Sequence, residues 1–121
     1  MEENKVYLSE DGFIRADYVG KQNVERVTQT QKEINDFVEK MRKEGKPALV
    51  LVDISKVTGQ DSGARKAGFE GMSKFRYDKI ALFGAGIFLK NVVNFVAKAS
   101  GKSSKIRLFR IEKEASEWLN S

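Results

Sequence analysis

The residues best able to do chemistry stand together in one stretch, Asp53-Ile54-Ser55-Lys56-Val57-Thr58-Gly59-Gln60-Asp61-Ser62-Gly63. Ser62 is placed to open a helix as its N-cap, the hydroxyl accepting from a free backbone N–H. The same position suits a phosphate, which would meet free N–H groups and the positive end of the helix dipole. Arg65 and Lys66 follow within the first turn and could pair with it. Asp53 and Asp61 would repel such a dianion unless they bind a cation or face away; a carboxylate-bound Mg²⁺ is the one metal chemistry open to them. Histidine and cysteine are both absent. The serine therefore lacks the ordinary activating base, and thiol nucleophiles and the usual zinc and copper ligand sets are missing. These absences point to a binding protein without catalytic residues, metal or cofactor.

Two further features bear on partners. Gly84-Ala85-Gly86 follows a strand and opens a helix, as a dinucleotide-binding turn does, but Leu89 stands at the third glycine position and no acidic residue lies about 20 residues on. The helix expected from Ile87 to Ala99 places Leu89, Val92, Val93 and Val96 on an inward stripe, with Ile87, Phe88 and Phe95 spreading beyond it. Its readings are a deeply buried helix, a homodimer contact or partner groove, and a pocket for an apolar ligand or anionic lipid flanked by Lys90, Lys98 and Lys102. From Arg65 to Arg110 there are 11 Lys/Arg against Glu70 and Asp78, within a net charge of +5. Such a cluster suits an acidic partner or a solvated face. Nucleic-acid binding is not expected, because Phe75, Tyr77 and Phe109 within it read as core.

The elements that position these residues follow from periodicity. Lys5–Leu8 and Phe13–Val19 read as strands joined by the turn Ser9-Glu10-Asp11-Gly12. Asn23 or Thr28 could cap a helix running to about Lys43, with Val27, Ile34, Phe37, Val38 and Met41 on one stripe. Gly45 and Pro47 end it. Ala48–Ile54, almost continuously apolar, is a central strand covered on both faces. A loop from Ser55 to Asp61 leads to a helix from about Ser62 to Tyr77. Its inner face would be Ala64, Ala67, Gly68, Gly71, Met72 and Phe75, the glycines allowing close approach to the sheet. Lys79–Phe83 is a third buried strand and Lys105–Arg110 an alternating one. A last helix begins near Glu112 and carries Ala115, Trp118 and Leu119. The order β-β-α-β-α-β-α-β-α predicts an α/β fold: a mostly parallel, mixed five-stranded sheet with helices on both faces. The 121 residues suit one domain. The acidic start Met1-Glu2-Glu3-Asn4-Lys5 is unlike a signal peptide, and no apolar run approaches a membrane span, so a cytoplasmic location without a transmembrane segment is expected.

A strand ending in Asp53-Ile54-Ser55, then Asp61-Ser62-Gly63 opening a helix, resembles the anti-sigma-factor antagonist (SpoIIAA-like, STAS) family. Lys79-Ile80-Ala81-Leu82-Phe83-Gly84 resembles that family's next strand. Arg107-Leu108-Phe109 with Glu114-Ala115-Ser116-Glu117-Trp118-Leu119 resembles its closing strand and helix. The likeness spans the whole chain and is nearest the small stand-alone SpoIIAA-like branch, whose fold is akin to CRAL-TRIO lipid-binding domains. It implies one domain over residues 1–121 and a regulatory module that binds a protein partner, a kinase or regulator, through the Asp53–Arg65 loop and the helix after it. In the antagonists the serine before the glycine is phosphorylated; carried over, that residue is Ser62, with Asp61 before it and Gly63 after. The pattern departs from the family at Gln60, where an apolar residue is usual, and at Ala64-Arg65, in place of a small apolar pair. The alternative implied by the CRAL-TRIO likeness is binding of a small apolar ligand or anionic lipid beside the Ile87–Ala99 helix.

Overall fold

The turn chemistry of Ser9–Gly12 is realised in the computed structural model of the chain, which describes residues 3–84 and 105–121. Gly12 takes φ +86°, its N–H donates to the Ser9 carbonyl at 3.0 Å, and Ser9 N–H donates to the Phe13 carbonyl at 2.9 Å. The turn joins β1 (Lys5–Leu8) to β2 (Ile14–Gln22) in antiparallel register, Lys5 opposite Asp17 and Leu8 opposite Ile14. The elements that follow are α1 (Val24–Lys43), β3 (Leu49–Gln60), α2 (Ser62–Lys74), β4 (Lys79–Phe83), β5 (Ile106–Phe109) and α3 (Glu112–Leu119). The sheet order equals the chain order, β1-β2-β3-β4-β5, with β2 to β5 parallel. The expected α/β architecture with a mixed five-stranded sheet is therefore present.

α1 and α3 each cover a sheet face chosen by their apolar stripes. Asn23 caps α1, its Oδ1 accepting from Arg26 N–H at 2.9 Å. Ile34, Val38 and Met41 of α1 pack on Ile14, Ala16, Val50, Val52, Ile80 and Leu82 of the sheet. On the opposite face Ala115 and Leu119 of α3 meet Phe13, Leu51, Ala81 and Phe83, with Phe109 and Trp118 alongside. β3 is thus buried from both sides, as its continuous apolar run requires. The helix expected over Ile87–Ala99, with Ile87, Phe88 and Phe95, lies outside the described residues, as do Ala85, Gly86 and the side chain of Met72.

Three expectations are corrected. The stretch read as a loop, Ser55–Asp61, is mostly strand: β3 continues to Gln60, paired with an equally extended β2 through Lys21 opposite Gly59 and Gln22 opposite Gln60. Two register shifts, between Asp17 and Val19 and between Gly20 and Lys21, let β2 follow it. The polar groups freed by these bulges are satisfied by Asn4, whose Oδ1 accepts from Val19 N–H and whose Nδ2 donates to Gln22 and Thr30, while Arg26 donates to the carbonyls of Val19 and Lys21. This network explains why Gln22 and Thr30 are buried. Secondly, α2 ends at Lys74 rather than Tyr77, because Phe75 is extended. Thirdly, the glycines of α2 make room for a helix, not for the sheet. A Cβ on Gly71 would overlap the side-chain amide of Gln31 in α1, and Gln31 Nε2 donates to the Gly68 carbonyl at 2.9 Å.

Burial of two phenols gives a pH prediction. Desolvation pushes the pKa of both Tyr18 and Tyr77 well above the ordinary value of 10.0. The folded state then favours the neutral phenol, so this stability is complete below about pH 10 and is lost as pH rises beyond it. Desolvation and the Asp17 charge raise Tyr7 too, but this phenol is 41% exposed on the edge strand, so of the three tyrosines it should ionise first, in the native protein. In a spectrophotometric titration near 295 nm, the other two should appear together with loss of the circular dichroism signal. Early ionisation of all three would contradict this packing.

Candidate functional site

The turn into α2 is built from the residues singled out above, with one exchange of roles. The N-cap is Asp61, not Ser62: Asp61 Oδ1 accepts from Ala64 N–H at 2.7 Å. Aspartate and serine cap about equally well, and the dipole favours the carboxylate. Ser62 becomes the first helical residue, exposed and with its hydroxyl outside the capping bond. Gly63 lies against the start of α1, where a Cβ would come within 2.7 Å of Val24 Cγ2. A larger residue at 63 would push the two helix starts apart.

Around Ser62 the surface is basic. Arg65 and Lys66 are exposed on the same first turn. The extended ends of β2 and β3 and the start of α1 form a shallow groove next to it, lined by Val19, Gly20, Lys21, Asn23, Arg26, Lys56 and Thr58. Val24 stands 47% exposed beside Gly63. Lys21 and Val24 lie outside the stretch singled out from the sequence, whereas Lys56 and Thr58 lie within it but were read as loop. They join the site because β2 and β3 run on together, which the β-branched pair Val57-Thr58 hints at.

Asp53 and Ser55 are placed elsewhere. Asp53 sits mid-strand and faces α3, where its Oδ1 accepts from Ser55 N–H at 2.9 Å and Ser55 Oγ at 2.6 Å. Arg15 binds the same cluster, at 3.8 Å from Asp53, 3.1 Å from Asp17 and 2.9 Å from Glu112, and lies over the Phe83 ring at 5.7 Å. Burial opposes the Arg15 charge, but hydrogen bonds to Glu112 and Asp17 outweigh it and hold its pKa above the ordinary value. Eight residue steps, nearly all of them strand, separate Asp53 from Asp61, on the order of 25 Å. The two carboxylates therefore do not form one cation site, and among the described residues no group of three His, Cys, Asp or Glu could hold a metal ion. Chemically, the Ser62 turn offers an exposed hydroxyl, a positive helix end and neighbouring cations: an arrangement for binding or modification. Gly84 closes the Asp53 region, at φ +88°, with its Cα packed on the backbone of Ser55.

Comparisons with known proteins agree with this architecture. Residues 7–121 match the model of a domain of unknown function, DUF7793. An uncharacterized protein of the DUF3478 family with a SpoIIAA-like fold, from Shewanella loihica PV-4, superposes with a TM-score of 0.66 at 18% identity, covering 96% of this chain and 91% of that one. The anti-sigma factor antagonist SpoIIAA in its unphosphorylated form superposes with a TM-score of 0.64 at 12% identity, covering 98% of each chain. No curated protein matches the sequence. Identities this low establish a shared SpoIIAA-like fold. No helix among the described residues is long and apolar enough to cross a membrane.

Proposed function

The chain belongs to the DUF7793 family, and we propose that it is a non-catalytic regulatory module, one domain acting in the cytoplasm, that recognises a protein partner through the start of α2. The observation that carries this reading is the exposure of Ser62 on the first turn of α2, beside Arg65, Lys66 and the basic ends of β2 and β3. The contact surface is Asp61, Ser62, Gly63, Arg65 and Lys66, with Val24 as its apolar element. Asp53 supports the fold from the other face of the sheet. The superposition on an anti-sigma factor antagonist supports the regulatory class.

Phosphorylation of Ser62 is the switch in this proposal. A phosphate at the first helical position adds about two negative charges. The helix dipole and the neighbouring cations stabilise those charges, so the fold persists while the surface changes sign locally. Purified wild type, Ser62→Ala and Ser62→Glu should melt within about 3 °C of one another, as for other surface substitutions. Partner capture should be equal for wild type and Ser62→Ala and at least about tenfold weaker for Ser62→Glu, the cost of one misplaced charge in an interface. After incubation with ATP and lysate, wild type alone should lose the partner. Equal capture by all three proteins under those conditions would sink the switch.

A further inference from the structure

An apolar cavity of about 100 Å³ lies between the sheet, α1 and α2. Its described walls include Ile34, Val50, Val52, Ile54, Val57 and Leu82, all but Val57 from the larger core or its margin. Close packing ordinarily removes a void of this size. Beside it Gln31 of α1 packs on Gly71 and donates to the Gly68 carbonyl of α2, which fixes the spacing of the two helices.

The lining is apolar but not featureless. Tyr18 faces the cavity, and its hydroxyl makes no hydrogen bond with a described residue. Burial keeps that phenol protonated, so it stays available as a donor. Gln60 and Arg65 line the side nearest solvent, and Arg65 is the single charged residue among the described lining residues. No carboxylate among them could receive a cation.

We propose that this cavity binds a small carboxylate with a compact apolar body, a single aromatic ring or short branched chain. The body would fill the void and the anionic end would meet Arg65. Cavities on the order of 150 Å³ with aliphatic and aromatic walls take up benzene, which sets the scale of the occupant. The site is independent of any role for Ser62, whose modification it does not require.

The test uses the full chain with benzoate, toluene and benzylamine as matched probes, followed by methyl and amide NMR titration. Benzoate should saturate, moving the signals of Val52, Ile54 and Val57. It should bind about tenfold more tightly than toluene, the difference one charge-assisted hydrogen bond makes, with benzylamine weakest. Arg65→Gln, an exposed substitution that leaves the core intact, should bring benzoate down to the toluene level without changing toluene binding. Val57→Phe should fill the cavity and abolish both. Failure of benzoate and toluene alike to saturate overturns the site, and so does equal binding of benzoate and benzylamine. A benzoate preference that survives Arg65→Gln also counts against it.

Discussion

Gly84→Ala should lower stability by about 3 kcal/mol, the sum of a left-handed conformation for a residue with a side chain and an overlap that the core cannot relieve. Gly84 has φ +88°, and an added Cβ would lie 2.8 Å from Ser55 Cα and 2.9 Å from Ser55 N. Those are backbone atoms of the central strand, which cannot rotate away. The comparison that isolates the overlap is Gly12→Ala. Gly12 has nearly the same φ, +86°, but nothing lies within 4 Å of its would-be Cβ. Its substitution should cost only about 1 kcal/mol, the conformational part alone. Urea midpoints measured side by side should therefore separate the two variants widely. Equal midpoints would mean that β4 does not approach Ser55 as closely as described.

Arg15→Met should cost about 2–3 kcal/mol, below the 3–5 kcal/mol of a fully buried pair because Glu112 reaches solvent. Arg15 is the cation that Asp17, Asp53 and Glu112 share, with side-chain exposures of 19% for Arg15 and 15% for Asp53. Methionine keeps much of the contact with Phe83 but leaves three carboxylates on one face of the sheet without their common counter-charge. Adding Asp53→Asn should then recover about 1 kcal/mol, since the amide oxygen can still accept from Ser55 and one charge is removed. In the wild-type background the same Asp53→Asn change should be destabilising. That reversal of sign, read from a double-mutant cycle by urea denaturation, is what a shared cation predicts. Additive effects would show that Arg15 stabilises by packing alone.

The order of elements was legible because each has its own periodicity. The continuous apolar run of β3, the helical stripe of α1 and the Asp-Gly turn each leave one reading. The errors fell where the deciding contact is non-local. Ser55–Gln60 looked like a loop because lysine and glycine interrupt it, yet it is held as strand by β2, whose bulges only the Asn4 network makes tolerable. Asp61 and Ser62 are both good caps, so the sequence could not rank them, and the choice moved Ser62 from the capping bond to the surface. The glycines of α2 pointed correctly to a close approach but to the wrong neighbour, because Gln31 lies in another helix. The cavity left no trace in the pattern, because its apolar walls are those of an ordinary core. Asp53 matched the family resemblance in position, but strand alternation turns it toward α3 and away from the Ser62 surface.

The most direct test of the binding surface is site-specific photo-crosslinking in cells. A benzophenone amino acid at Lys66, exposed on the first turn of α2, is compared with one at Glu117, exposed on α3 across the sheet. A discrete adduct from position 66, absent from position 117 and lost when Ser62→Glu is added, is the expected result. An adduct that forms from position 117, or one from position 66 indifferent to charge at Ser62, would contradict the account.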